Sequence, residues 1–262
     1  MTNNQKKSAK IFAVVNQKGG VGKTTTVVNI ATAFAASKNK TLVIDCDPQG
    51  NASTGFGILQ SQRQKNIYDI LVGEASMREA IIQHKIPNLN IITSTVDLAA
   101  AEVELVNLKG REYCLNNAIK NVIHDYDIII IDCPPSLGLL TINALVASDR
   151  VLIPMQCEFF SLEGLSHLLT SLELVKENLN HNLQISGIIL TMHDCRNKLT
   201  EQVEQDVRSF LGKKVFKNSI PRNVKLSEAP SHGIPGIIYD AKSSGAISYM
   251  KLAKEILSKE KA

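Results

Sequence analysis

Six short runs dominated by Val, Ile and Leu recur along the chain: KIFAVVN (10–16), TLVID (41–45), LNIIT (89–93), DIIIID (127–132), RVLIPM (150–155) and QISGIIL (184–190). They are apolar at consecutive positions, which predicts strands buried on both faces, as inside a parallel sheet. The intervening stretches carry helical spacing, for example Val27, Ile30, Ala31 and Phe34, then Ile119, Val122 and Ile123, then Leu162, Leu165, Leu168, Leu169, Leu172 and Val175. Parallel neighbours must be joined by long right-handed crossovers. The expected class is therefore α/β, a doubly wound and mostly parallel sheet with helices on both faces. No proline-rich or low-complexity linker and no internal repeat divides the chain. Residues 10–262 are expected to form one domain, preceded by a flexible polar arm at 1–9. The segment 219–240, with three prolines and two glycines, is expected to be a long ordered loop or a surface for a ligand. A last helix over about 243–259 should pack through Ile247, Met250, Ala253 and Leu257.

Composition narrows the function classes. With 44% hydrophobic and 21% charged residues the chain has an ordinary globular make-up, and no tract reaches the length of a membrane helix. The first ten residues, MTNNQKKSAK, lack the apolar core of a secretory signal, so a cytoplasmic location is expected. The five cysteines show no C-x-x-C or Cys/His spacing, which predicts reduced thiols rather than disulfides or a metal site. The net charge of +4 is unevenly spread: from His193 onward 13 basic residues face 8 acidic ones, a net of +5, and the remainder sums to −1. Such a bias suits a polyanionic partner.

Chemistry enters at NQKGGVGKTT (16–25). A phosphate loop reads G-x-x-x-x-G-K-[ST] between a strand and a helix. Here Gly22, Lys23 and Thr24 supply its end, but Gln17 stands where the first glycine belongs, and an extra lysine, Lys18, follows. Gly19, Gly20 and Gly22, with Val21 among them, let backbone N–H groups converge on phosphate oxygens, and the helix start adds its positive end. Lys23 is then placed for the β- and γ-phosphates of a nucleotide, Thr24 for Mg²⁺ and Thr25 for the α-phosphate.

Carboxylates end two other strands. LVIDCDPQGN carries Asp45 and Asp47, and IIIIDCPPS carries Asp132. Ligands of open α/β sheets sit at the carboxyl ends of the strands, so all three can converge on the loop. Asp132 has the position of a carboxylate that holds Mg²⁺ through water, and Asp47 is expected to orient the attacking water. Asp45 fits either a site residue or a turn former.

With KGGVGKTT, DCDPQGN, DCPPSLG and IPRNVKLSEAPSHGIPGIIYD in this order, the chain resembles the ParA/Soj partitioning ATPases, the chromosomal branch of the deviant Walker A superfamily, over about residues 10–258. The resemblance implies a P-loop NTPase that binds ATP with Mg²⁺, forms a homodimer when ATP-bound, and holds DNA non-specifically on the bacterial nucleoid. Hydrolysis would be weak and stimulated by a ParB-type partner. It also gives Lys18 a role: reaching across the dimer interface to the partner's nucleotide. Pro221 and Asn223 would lie against adenine, and Arg196, Lys225 and the adjacent Arg222 would contact DNA phosphates. The alternative is a MinD-like cell-division-site ATPase that binds membrane; the chain end ISYMKLAKEILSKEKA lacks the Phe or Trp of such a helix, and no membrane binding is expected. Cluster carriers of the superfamily use a C-x-x-C pair that is missing here, although their reductase relatives can use single cysteines such as Cys133.

Overall fold

A computed structural model describes residues 8–158 and 161–260. Most of the expected arm lies outside these residues. Ala9 does not behave as an arm residue: it is buried, and its N–H donates to Ile123 O at 2.9 Å.

Seven strands form one sheet: β1 (Lys10–Val14), β2 (Thr41–Asp45), β3 (Ile81–Gln83), β4 (Leu89–Ile92), β5 (Ile128–Asp132), β6 (Arg150–Gln156) and β7 (Gln184–Thr191). Their order is β3-β4-β2-β5-β1-β6-β7, parallel throughout except for the β3–β4 pair. The six predicted strands are all present. The one missed, β3, is a three-residue edge strand whose half-exposed Ile81 and Ile82 carry too short a pattern to read. Along β5, Ile129 and Ile131 enter the core on one face of the sheet while Ile128 and Ile130 enter the core on the other. Continuous isoleucine is thus required, because no position of this strand faces water.

The helix Lys23–Ala36 lies between the sheet and the last helix, Ser244–Lys259, and is buried almost all round, which explains its apolar Val, Ala and Phe content. Two expectations are corrected. The last helix packs through Ala246, Tyr249, Leu252, Ala253 and Ile256, while Ile247 and Met250 are 43% and 40% exposed. Its core face is turned about a quarter of a revolution from the predicted stripe, because Tyr249 anchors it, its hydroxyl 3.1 Å from that of Thr26. The segment 219–240 is not a long loop either, though part of it lines a cavity. It holds short helices at Val224–Glu228 and Gly236–Tyr239 with a 3-10 turn at Ala229–His232 between them.

Candidate functional site

β1 leads through Gly19, Gly20 and Gly22 into the helix Lys23–Ala36. Gly20 and Gly22 have φ of 74° and 84°, a left-handed backbone that L side chains rarely adopt. The helices Lys198–Leu211 and Ser244–Lys259 are capped by the side chains of Asn197 and Ser243; the helix that starts at Lys23 has no side-chain cap. Its first N–H groups and its dipole are left for an anion. They open into a cleft of about 420 Å³ lined by Gly19, Lys23, Thr24, Thr25, Asp47 and Pro135, among others. A larger cleft of about 480 Å³ opens at the opposite, amino-terminal end of the strands around Lys40, Asn88 and Tyr126. It has no comparable backbone cradle, and the chemistry belongs to the smaller one.

Lys23 is buried and donates to Lys18 O at 3.3 Å. Burial pushes its pKa down, and the charges of Asp132 and Asp47 hold it up, so these three groups share one field. Asp132 is fully buried at the end of β5. Burial and then the neighbouring Asp45 raise its pKa well above the carboxylate range; the nearby Thr24 hydroxyl opposes this, yet neither carboxylate oxygen closes a hydrogen bond of acceptable geometry. A buried carboxylate with both oxygens unpartnered is costly unless a cation completes it. Among the described residues no group of three or more His, Cys, Asp or Glu side chains could hold a metal by itself. Asp132 with Thr24 therefore fits a hard ion such as Mg²⁺, which takes most of its ligands from water and phosphate.

Asp45 and Asp132 are register partners on adjacent strands, but they differ in company. Asp45 accepts from Ser53 N at 2.8 Å, Ser53 Oγ at 2.7 Å and Asp47 N at 3.3 Å. It is a brace between β2 and the turn after it, and burial raises its pKa to about 6. Asp47 lines the cleft and accepts from Gln49 N at 2.9 Å, which aims its carboxylate.

Lys18 is set apart from Lys23. Its side chain is 44% exposed, and its Nζ pairs with Glu158 at 2.5 Å. A Cβ at Gly19 would meet nothing within 4 Å. The loop face that carries Lys18 is open.

A second cavity of about 210 Å³ adjoins the loop, lined by Gly22, Thr25, Met192, Pro221, Asn223 and Tyr249 among others. Asn223 is partly committed: Oδ1 caps the helix Val224–Glu228 by accepting from Leu226 N at 3.2 Å, and Nδ2 donates to Ser244 Oγ at 3.0 Å. One donor and one acceptor site of the amide stay free. Met192 and Tyr249 escaped the sequence reading. Met192 lines both cavities with φ of 49°, a strained backbone that no sequence pattern announces.

The basic residues also come together. His193 and Arg222 are joined by an N–H···O bond of 3.1 Å, which brings the Arg196 loop beside the Lys225 helix. Arg196 is 85% exposed and chelates Asp194 at 2.9 Å; Lys225 pairs with Glu228 at 2.9 Å, and Arg222 is exposed. Cys133 and Cys46, by contrast, are fully buried, and burial drives both thiols well above their usual pKa.

The AAA domain family model matches residues 9–185. Over 254 residues the chain is 48% identical to the chromosome partitioning protein ParA of Caulobacter vibrioides, covering 96% of this chain and 95% of that protein. It is 53% identical over 247 residues to the sporulation initiation inhibitor protein Soj of Bacillus subtilis, covering 94% of this chain and 98% of that one. The solved structure of cobyrinic acid a,c-diamide synthase from Mycobacterium smegmatis, with bound ATP analog and magnesium, matches with a TM-score of 0.86 at 33% identity, over 97% of this chain and 96% of the other. The cell division ATPase MinD of Pyrococcus furiosus matches with a TM-score of 0.79 at 27% identity, over 95% and 99%. The seven-stranded sheet, the lysine-rich phosphate loop and near full-length identity to both relatives lead to one assignment: the chain belongs to the ParA/Soj family of chromosome-partitioning proteins, built on the P-loop NTPase fold.

Proposed function

We propose that this protein is an ATP-driven DNA-partitioning ATPase. ATP with Mg²⁺ occupies the cleft at the phosphate loop, two ATP-bound subunits pair face to face, and the pair holds DNA non-specifically until hydrolysis, stimulated by a ParB-type partner, releases it. The observation that carries the nucleotide part is the uncapped helix start beside a buried Lys23 and the unpartnered carboxylate of Asp132.

Each residue has a distinct task. Backbone N–H groups from Gly19 to Thr25, Val21 included, bind the phosphates, and Lys23 neutralises the β- and γ-phosphate charge. Thr24 and Asp132 would hold Mg²⁺, which would supply positive charge to offset that of the phosphates. Asp47 orients the water for in-line attack. Pro221 and Asn223 face the base. Lys18 supplies positive charge to the partner subunit's nucleotide, as a finger in trans. The open space around Gly19 and the exposure of Lys18 support such an approach of two loops.

Arg196, Lys225 and Arg222 form the DNA surface. The surrounding sequence has no helix-turn-helix pattern, so phosphate contact is the mode. Two or three contacts per subunit bind weakly; pairing doubles them on one duplex and makes DNA affinity a readout of ATP. In this reading the protein works on the nucleoid, in the cytoplasm. Among the described residues no helix is long and apolar enough to cross a membrane.

Retention of the protein on DNA of arbitrary sequence, compared with ATP, with ADP and without nucleotide, tests the proposal. Retention with ATP alone is expected. Flotation with vesicles and no DNA binding would move the assignment to a MinD-like function.

A further inference from the structure

Arg63 is absent from every motif that led to the site, yet it is one of the most buried charged residues, 6% exposed. Among the described residues it forms no salt bridge; its bonds go to uncharged oxygens. Nε donates to Ile58 O at 3.2 Å, Nη1 to Gly50 O at 3.3 Å and Ser94 O at 3.1 Å, and Nη2 to Thr54 Oγ1 and Ile58 O, both at 2.8 Å. These five bonds use all five N–H groups of a guanidinium, which stays charged even when buried. Asp45 acts on this cation through its charge but makes no direct bond to it, and burying a cation without a direct carboxylate partner is expensive, so its geometry must accomplish something that an apolar residue could not.

The acceptors span the turn that follows Asp47. Gly50 N donates to Asp47 O at 2.9 Å, closing the turn, and Gly50 O is held by Arg63. Ser94 O lies just beyond the end of β4, so the guanidinium fastens the turn to the sheet itself. The glycine of DPQGN is explained by this arrangement: a Cβ at Gly50 would collide with Arg63 Nη1 and with Ser94 O.

We infer that Arg63 is a positioning residue for hydrolysis, clamping the Asp47–Gly50 turn and the short helix Asn51–Gly55 after it to the end of β4 so that the Asp47 carboxylate is held at the attacking water. The inference rests on the proposed role of Asp47. Small displacements of a catalytic group cost orders of magnitude in rate, up to about 100-fold for 1 Å. Nucleotide binding relies on the loop and Lys23; this segment meets the cleft only at Asp47, Gln49 and Asn51.

The test measures ATP affinity and ATP turnover per titrated nucleotide site, below the melting temperature, for Arg63→Met, Arg63→Lys, Thr54→Val and Asp47→Ala. Arg63→Met is expected to lower turnover at least about tenfold with ATP affinity unchanged within about twofold. Arg63→Lys restores charge but not the planar fork, and should rescue little. Thr54→Val, which removes the hydroxyl that accepts from Arg63 Nη2 and donates to Gly50 O at 3.0 Å, should lower turnover by about threefold, and it decides the matter if the Arg63 variants do not fold. A merely structural Arg63 would lower the number of binding sites while leaving turnover per site intact, and that result overturns the inference. Asp47→Ala inactive beside fully active Arg63 and Thr54 variants overturns the clamp alone; Asp47→Ala fully active overturns the role of Asp47 and the clamp with it.

Discussion

Lys18 Nζ pairs with the carboxylate of Glu158 at 2.5 Å, so the lysine assigned to the partner's nucleotide is tethered to its own chain in the isolated subunit. Both side chains are about half exposed, and a pair of this kind contributes little stability. The tether can therefore be exchanged for a phosphate at small cost. Glu158→Gln is expected to tighten ATP-dependent dimerisation by no more than about fivefold. Lys18→Ala should bind ATP as a monomer, and Lys23→Ala should lose ATP affinity by about 10- to 100-fold, the worth of a charge-assisted bond. Sedimentation with ATP separates the three; a normal Lys18→Ala dimer would remove the trans role.

Proton release is expected on binding of Mg-ATP. The pKa of Asp132 stands well above the carboxylate range in the ligand-free fold, because burial and Asp45 disfavour its charge, and a cation reverses that balance. Affinity for Mg-ATP should rise with pH, and calorimetry in buffers of different ionisation enthalpy should show protons leaving. Asp132→Asn should abolish the release and weaken the dependence of affinity on Mg²⁺. The ligand-free protein should respond in the opposite sense. Asp45 has its pKa raised from 3.8 to about 6, so the folded state binds the extra proton in that window, and its penalty on stability is relieved as pH falls through 6.

Base selection should depend on the free half of the Asn223 amide. Replacing Asn223 by Ala would also uncap the helix Val224–Glu228, at a cost of about 1 kcal/mol. Asn223→Ser keeps a capping oxygen and removes the amide donor. It is expected to narrow the preference for ATP over GTP by about tenfold, the loss of a hydrogen bond to the base, with little change in melting temperature. Competition binding of the two nucleotides measures this, and equal binding of ATP and GTP by the unaltered protein would exclude a base role for Pro221 and Asn223.

DNA binding should be steeply salt-dependent. With roughly four to six phosphates neutralised per dimer, log K against log[salt] should slope at about −4 to −5. Arg196→Glu or Lys225→Glu should abolish ATP-dependent retention on any sequence and leave dimerisation intact. The acidic partners sharpen the expectation: Arg196 holds Asp194 well below the usual carboxylate range through its side-chain hydrogen bonds, and Glu228 is lowered likewise by Lys225. Asp194→Asn frees Arg196 and should raise affinity for DNA. An unchanged slope in the reversed-charge variants would show these residues to be ordinary surface charges.

Local chemistry made much of this legible. Continuous Ile in β5 implies a strand with no wet face, and glycines before Gly22-Lys23-Thr24 imply a backbone cradle; both follow from nearest-neighbour sterics and period, which a sequence carries directly. The convergence of Asp47 and Asp132 on that cradle was also within reach, because strand ends share one edge of a parallel sheet.

Other features belonged to tertiary packing alone. Asp45 and Asp132 occupy equivalent strand ends, and only the presence of Ser53 beside one, with no hydrogen-bond partner among the described residues beside the other, divides the brace from the proposed metal ligand. The face of the last helix was decided by Tyr249 against Thr26, since several stripes of its sequence are apolar enough to pack. Glu158 reaches Lys18 across 140 positions, and Arg63 reaches Ser94 across 31, contacts that no spacing rule encodes. Residue types and their period determine which elements form and which edge of the sheet binds phosphate. Which of several similar side chains is left charged, free or clamped depends on long-range neighbours, and those exist only once the chain is folded.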